Sequence, residues 1–216
     1  MKKLIRESDI IALLKSGSKS LPVAKDDIIT PLAWDRIKVS GIKIIKKEDA
    51  VKLDSSQHGA EALSLFKRAA IGSDHTGFKV KNEIITFLGE KSIEIADVGT
   101  FDENPCDYPD IAYSVASKVK AKEADFGIVI DATGIPSSIA ANKVPGIRAA
   151  VCYNEFSARS AREHNNANII TLGARSLGIE TIKSILNVWL ETNFGGGRHQ
   201  NRLNKIAAIE EEFLKK

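Results

Sequence analysis

From Arg68 onward the chain alternates between two hydrophobic periods. Short apolar runs bounded by polar or small residues, RAAIGSD, SIEIADVG, FGIVI, RAAVCY and NIITLG, read as five strands. Longer segments with apolar residues three and four apart lie between them. GFKVKNEIITFLGEK puts Ile84, Ile85 and Leu88 on one helical face, and DIAYSVASKVK does the same with Ile111, Val115 and Val119. SSIAANK, EFSARSAREH and IETIKSILNVWLET complete the set. Strand–helix repetition of this kind predicts an α/β, Rossmann-like fold: a five-stranded parallel sheet with helices on both faces. After a GGG break, Arg198 to Lys216 carries Leu203, Ile206, Ile209 and Phe213 at helical spacing, so a last helix is expected to pack on a neighbour or a partner subunit.

The first 47 residues read as a small separate unit. Ser8 or Asp9 is placed to cap a short helix carrying Ile10, Ile11, Leu13 and Leu14, which Gly17 ends. A second helix has Thr30 as N-cap, Pro31 in the first turn and Gly41 at its close. IKIIKK then alternates like a strand. Residues 48–67 show no sustained period, and LDSSQHG within them is polar and turn-forming, so a linker is expected there. The main domain is expected over 68–216.

Composition narrows the class. The 216 residues carry a net charge of +3, with 43% hydrophobic and 27% charged residues, which is ordinary for a globular chain and too weakly basic to imply a nucleic-acid partner. The opening MKKLIRESDIIALLK has no signal-peptide core and no apolar run is long enough for a membrane span, so a cytoplasmic protein is expected. Cys106 and Cys152 form no CxxC pair, which suits two free thiols in a reducing compartment. No HExxH or clustered-carboxylate spacing appears, and the expected chemistry needs neither metal nor cofactor.

In open α/β sheets ligands bind beyond the carboxyl ends of the strands, at a switch point. With the common strand order 2-1-3-4-5, the loops after the first and third strands, GSDHTG and DATGIP, lie side by side. Asp74 is either a helix cap or a binding group, and His75 either an exposed loop residue or a donor to a phosphate or hydroxyl. Asp131 is either a turn-forming carboxylate or a general base; the amides and hydroxyl of the turn through Ala132, Thr133, Gly134 and Ile135 are candidates to hold an oxyanion. His164 is either an acid for opening a sugar ring or a charge suited to a helix C-terminus. Arg175 follows the fifth strand. Arg198 and Arg202, four apart on one helical face, suit a phosphate or a solvated basic surface.

GSDHTGFKVK, DYPD, SIAANKVPGIRAAVC, FSARSAREHNNANIITLGAR and GGGRHQNRLNKI occur in order and at matching spacing over about residues 68–210. In these motifs the chain resembles the family of ribose-5-phosphate isomerase B and the galactose-6-phosphate isomerase subunits. The resemblance implies metal-free aldose–ketose isomerisation of a sugar phosphate through an enediolate, in a homodimer or homotetramer. It implies that Asp74, His75, Tyr108 and Asn165 bind substrate, that Thr133 and the turn amides hold the enediolate oxygen, and that His164 opens the ring. Arg175, Arg198 and Arg202 would take the phosphate, the last two reaching a neighbouring subunit's site. Many family members have a cysteine base where this chain has Asp131, and another branch has a glutamate where it has Ser137. The usual GTGIG is here ATGIP, so Pro136 also removes one N–H from the turn. Either Asp131 replaces the thiol as base, or the chain binds a sugar phosphate with altered or lost turnover.

The N-terminal stretch SDIIALLKSG…IITPLAWDRIKVSGIKI is similar to N-terminal segments of proteins associated with bacterial microcompartments, such as ethanolamine-utilisation cobalamin adenosyltransferases. This implies a docking or targeting module, with microcompartment components as partners and a microcompartment as a location.

Overall fold

The structure, a computed structural model, describes residues 4–15, 20–24, 26–46 and 66–214. The chain forms two compact units, residues 1–63 and 64–216. Residues 48–65 of the expected linker, and Gly17, lie outside the described residues.

The first unit repeats one small pattern. Strand β1 (Leu4–Ile5), helix α1 (Glu7–Lys15) and strand β2 (Ser20–Val23) are followed by β3 (Ile28–Ile29), α2 (Pro31–Ser40) and β4 (Lys43–Lys46). β1 pairs parallel with β3, and β2 with β4. Ile5, Ile10, Leu21, Ala33, Ile37 and Ile42 form its core. Thr30 Oγ1 accepts the Ala33 N–H at 3.4 Å and Gly41 closes α2 in the left-handed region, as the sequence predicts. The start of α1 differs: the helix begins at Glu7, with Ser8 and Asp9 inside its first turn. The Asp9 carboxylate instead reaches back to accept the Arg6 N–H at 2.7 Å.

The second unit holds a five-stranded, all-parallel sheet: β5 (Arg68–Ser73), β6 (Glu94–Asp97), β7 (Phe126–Asp131), β8 (Ala149–Val151) and β9 (Ile169–Gly173). Helices α3 (Phe78–Glu90), α4 (Tyr108–Lys120), α5 (Ile135–Ala141), α6 (Glu155–Asn165), α7 (Ile179–Glu191) and α8 (Arg198–Leu214) complete it. Ile84, Leu88, Ala158, Ala161, Ile182 and Trp189 bury one face of the sheet beneath α3, α6 and α7. Ala112, Val115, Val119 and Ala141 bury the other beneath α4 and α5. Phe66, two residues before the first strand, already belongs to this core and packs on Phe126 at 4.8 Å between ring centroids.

The strand order is β6-β5-β7-β9-β8, which is 2-1-3-5-4 rather than the expected 2-1-3-4-5. The last strand, IITLG, is buried at every position and takes the inner place; the three-residue AAV, only half-buried, takes the edge. Short strands suit an edge, where fewer backbone groups are left unpaired. The first and third strands remain neighbours, so the switch point stands where the sequence puts it. α5 also starts earlier than expected: Ile135 and Pro136 form its first turn, with Ser137 and Ser138 inside it. Among the described residues no helix is long and apolar enough to cross a membrane.

Candidate active site

Register brings the loops after β5 and β7 together. Ser73 pairs with Ile130, and the Asp74 N–H continues the ladder by donating to Ile130 C=O at 3.0 Å, so Asp74 and Asp131 are neighbours. Each carboxylate binds its own loop. Asp74 Oδ1 accepts the Thr76 N–H (2.8 Å), the Thr76 hydroxyl (2.6 Å) and the Gly77 N–H (3.2 Å). Asp131 Oδ1 accepts the N–H groups of Thr133 and Gly134, both at 2.7 Å, and Oδ2 accepts the Ser137 N–H at 3.1 Å. Asp131 is 1% exposed and Asp74 7%.

These bonds revise one expectation. The Thr133 and Gly134 amides expected to face an oxyanion point inward, onto Asp131. A carboxylate is the stronger acceptor, and it stands at the mouth of the turn where the helix start presents its free N–H groups. Thr133 itself remains exposed; its Oγ1 donates to Asp131 Oδ1 at 3.4 Å and accepts the Ile135 N–H at 3.3 Å. Gly134 is left-handed (φ 81°), which a turn this tight requires.

The loop after β9 locks the same turn from the other side. Asp131 C=O accepts the Ala174 N–H at 2.8 Å, and Ala132 C=O accepts the Arg175 N–H at 3.0 Å, which leaves the exposed Arg175 side chain at this edge. His75 Nδ1 accepts the Cys106 N–H at 3.4 Å. Tyr108 opens α4 and lines a groove of about 450 Å³ with Tyr113, Pro136, Ile139 and Lys143. Asp74, His75, Tyr108, the 131–135 turn and Arg175 therefore share the carboxyl edge of the sheet.

His164, Asn165, Arg198 and Arg202 do not join them. Asn165 is the last residue of α6, a few residues before β9 begins, which puts it at the amino edge. Its Nδ2 donates to Ser160 C=O at 3.2 Å, and its own C=O accepts Arg148 Nε at 3.1 Å. His164 Nδ1 lies 3.3 Å from Ser160 Oγ, and its ring stacks on His199 at 4.5 Å between centroids and 11° between planes. Glu163 C=O accepts the Gly195 N–H at 2.8 Å and ties the start of α8, with Arg198 and Arg202, to the same place. In one chain the length of β9, roughly 13 Å at the usual strand rise, separates the two clusters.

Sequence reading missed three contributors. His199, between the two arginines, is 9% exposed; burial, then the nearby His164, Arg198 and Arg202 charges, push its pKa below the ordinary value. Lys81 lies on the apolar face of α3, three residues before Ile84, and a lysine on such a face signals a buried partner. Cys106 contributes its N–H to His75. Neither cysteine lies in the 131–135 turn. Cys152 is fully buried, and burial pushes its thiol up to about 12, so it holds no thiolate near neutral pH.

The family pattern described as Ribose/Galactose Isomerase matches residues 69–206. Ribose-5-phosphate isomerase B of Escherichia coli (strain K12) is 46% identical over 145 residues, which is 67% of this chain and 97% of that protein. A D-erythrulose-4-phosphate isomerase of Pectobacterium atrosepticum is 42% identical over 146 residues, 66% of this chain and 95% of that protein. Among solved structures, ribose-5-phosphate isomerase B of Clostridium thermocellum is 50% identical with a TM-score of 0.67, covering 68% of this chain and 99% of that one. All of these matches leave out about a third of the chain, and the family pattern starts after the N-terminal unit.

Proposed function

Because the chain belongs to the ribose/galactose isomerase family, whose members are sugar-phosphate isomerases, we propose that it interconverts an aldose phosphate and its ketose through an enediolate. The substrate in this reading is ribose 5-phosphate or a related short-chain sugar phosphate, since one relative is named for a four-carbon substrate. The observation that carries it is the set of polar groups on one sheet edge: Asp74, His75, the 131–135 turn and Arg175. Asp131 Oδ2 accepts a single N–H and so keeps a lone pair with which to move the proton between C2 and C1. In this reading Thr133 Oγ1 and His75 bind the sugar oxygens, the Thr133 hydroxyl exchanging its 3.4 Å bond to Asp131 Oδ1 for the substrate, and His164 assists ring opening. With Asn165, Arg198 and Arg202, His164 reaches this edge from a second copy of the chain. The 1–47 unit serves as a docking module in this reading, with microcompartment components as its partners.

A second reading has a specific observation behind it. Asp131 is 1% exposed and takes three backbone N–H bonds, as a helix-capping aspartate would. In that case the protein binds a sugar phosphate without turning it over. NMR of ribose 5-phosphate and of a four-carbon aldose phosphate, incubated with the purified chain and with Asp131→Asn, separates the two. The isomerase reading expects turnover by the parent and a loss on the order of 10²-fold or more in the variant, the usual size for a general base. Ligand binding with no turnover by the parent would establish the second reading.

A further inference from the structure

Lys81 is fully buried, and all three of its ammonium protons are placed. They go to Asp97 Oδ1 at 2.6 Å, Asp97 Oδ2 at 2.7 Å and Thr100 C=O at 2.7 Å. Asp97 Oδ1 also accepts the Gly99 N–H at 2.9 Å. The segment so held is bonded on its other side to Ser73: Ser73 N–H donates to Gly99 C=O at 2.8 Å, and Thr100 N–H donates to Ser73 C=O at 2.9 Å. Ser73 directly precedes Asp74 and His75. The segment then runs on to Cys106, whose N–H reaches His75 Nδ1. One loop thus meets the 73–75 stretch twice, at the backbone of Ser73, two residues before His75, and at the His75 ring through Cys106, and Lys81 anchors that loop to α3.

We propose that Lys81, through Asp97 and the 98–106 loop, is the positioning residue that fixes the tautomer and aim of His75. With Nδ1 accepting from Cys106, a neutral His75 carries its proton on Nε2, which leaves that N–H to donate to a substrate oxygen. Lys81 touches no substrate. Its ammonium also lies 5.1 Å from the Phe101 ring, which favours the same loop path. The inference rests on reading His75 as a substrate-binding group, but its main test needs no turnover.

The test is ¹⁵N NMR of the imidazole of His75 in the full chain. The parent should show the Nε2–H tautomer, and Lys81→Met should show a mixture of tautomers. If Lys81→Met does not fold, Asp97→Asn, which keeps the lysine and weakens its grip, is read in the same way. An unchanged Nε2–H signal in a folded variant overturns the proposal. Where the chain turns over substrate, a double-mutant cycle adds a kinetic readout. Lys81→Met should lower kcat about tenfold with His75 present and less than about threefold in a His75→Gln background. Equal losses in both backgrounds would make Lys81 a structural brace only and overturn the positioning role. A parent without turnover but with the expected tautomer shift would sink the isomerase reading and leave the positioning of His75 standing.

Discussion

Asp74 directly follows β5 and Asp131 ends the neighbouring β7, and each binds the loop that follows it. The sequence shows both carboxylates and even their adjacency, because strands one and three flank the switch point in either strand order. Their occupancy was not legible. Whether a carboxylate faces a ligand or the amides of its own turn depends on φ and ψ over four residues, and a turn such as DATG allows both. His199 is a second residue whose state comes from tertiary neighbours. Its lowered pKa means that the unfolded chain takes up a proton at a higher pH than the folded one. The stability linked to His199 is therefore complete above the unfolded value, near 6.5, and is lost as pH falls from there through the folded value. Melting curves at pH 7.5 and pH 5.5 should show a larger drop for the parent than for His199→Gln. Equal drops would mean that His199 titrates alike in both states.

At the scale of elements, close backbone approach holds the site together. Gly173 ends β9 against the turn after β7. A Cβ there would lie 2.7 Å from Thr133 C and 2.8 Å from its Cα, and would collide with Ser176 Oγ. Backbone cannot swing aside as a side chain can. Gly173→Ala should therefore destabilise the chain by about 1–3 kcal/mol, the usual cost of overpacking, and weaken sugar-phosphate binding by shifting the 131–134 turn. Urea melts and calorimetric titration with ribose 5-phosphate check this; unchanged values in both would show that β9 yields without moving the turn. The elements themselves were readable, since each strand and helix of 68–214 appears where the periodicity places it, within a few residues. Their order in the sheet was not. Connection lengths permit either 4-5 or 5-4 at that edge, and the choice falls to burial: IITLG has no polar position to give to solvent except one threonine, whereas the shorter AAV strand is only half-buried along its length and follows Arg148.

For the whole molecule, topology divides the inferred site residues between opposite edges of one sheet. A helix that follows one strand must return to the amino edge before the next can begin, so residues at its C-terminus, such as His164 and Asn165, cannot share an edge with Asp131. That rule was available from the sequence and applies to His164 as much as to the arginines. If both clusters act on one substrate, they come from two chains, and closed two-fold symmetry then gives two such sites per dimer. This makes a quantitative expectation. His75→Ala disables the carboxyl-edge cluster, and Arg198→Ala with Arg202→Ala disables the amino-edge cluster. Each protein alone should keep only a small residual activity. After unfolding together and refolding, half the dimers should be mixed, and each mixed dimer should have one intact site and one doubly damaged site, restoring roughly a quarter of parent activity. Sites contained within single chains would restore nothing, because every chain in the mixture carries a lesion. The same refolding with chains lacking residues 1–63 asks whether the first unit is needed: recovery at the same level would leave it a role outside the reaction, as a docking module requires.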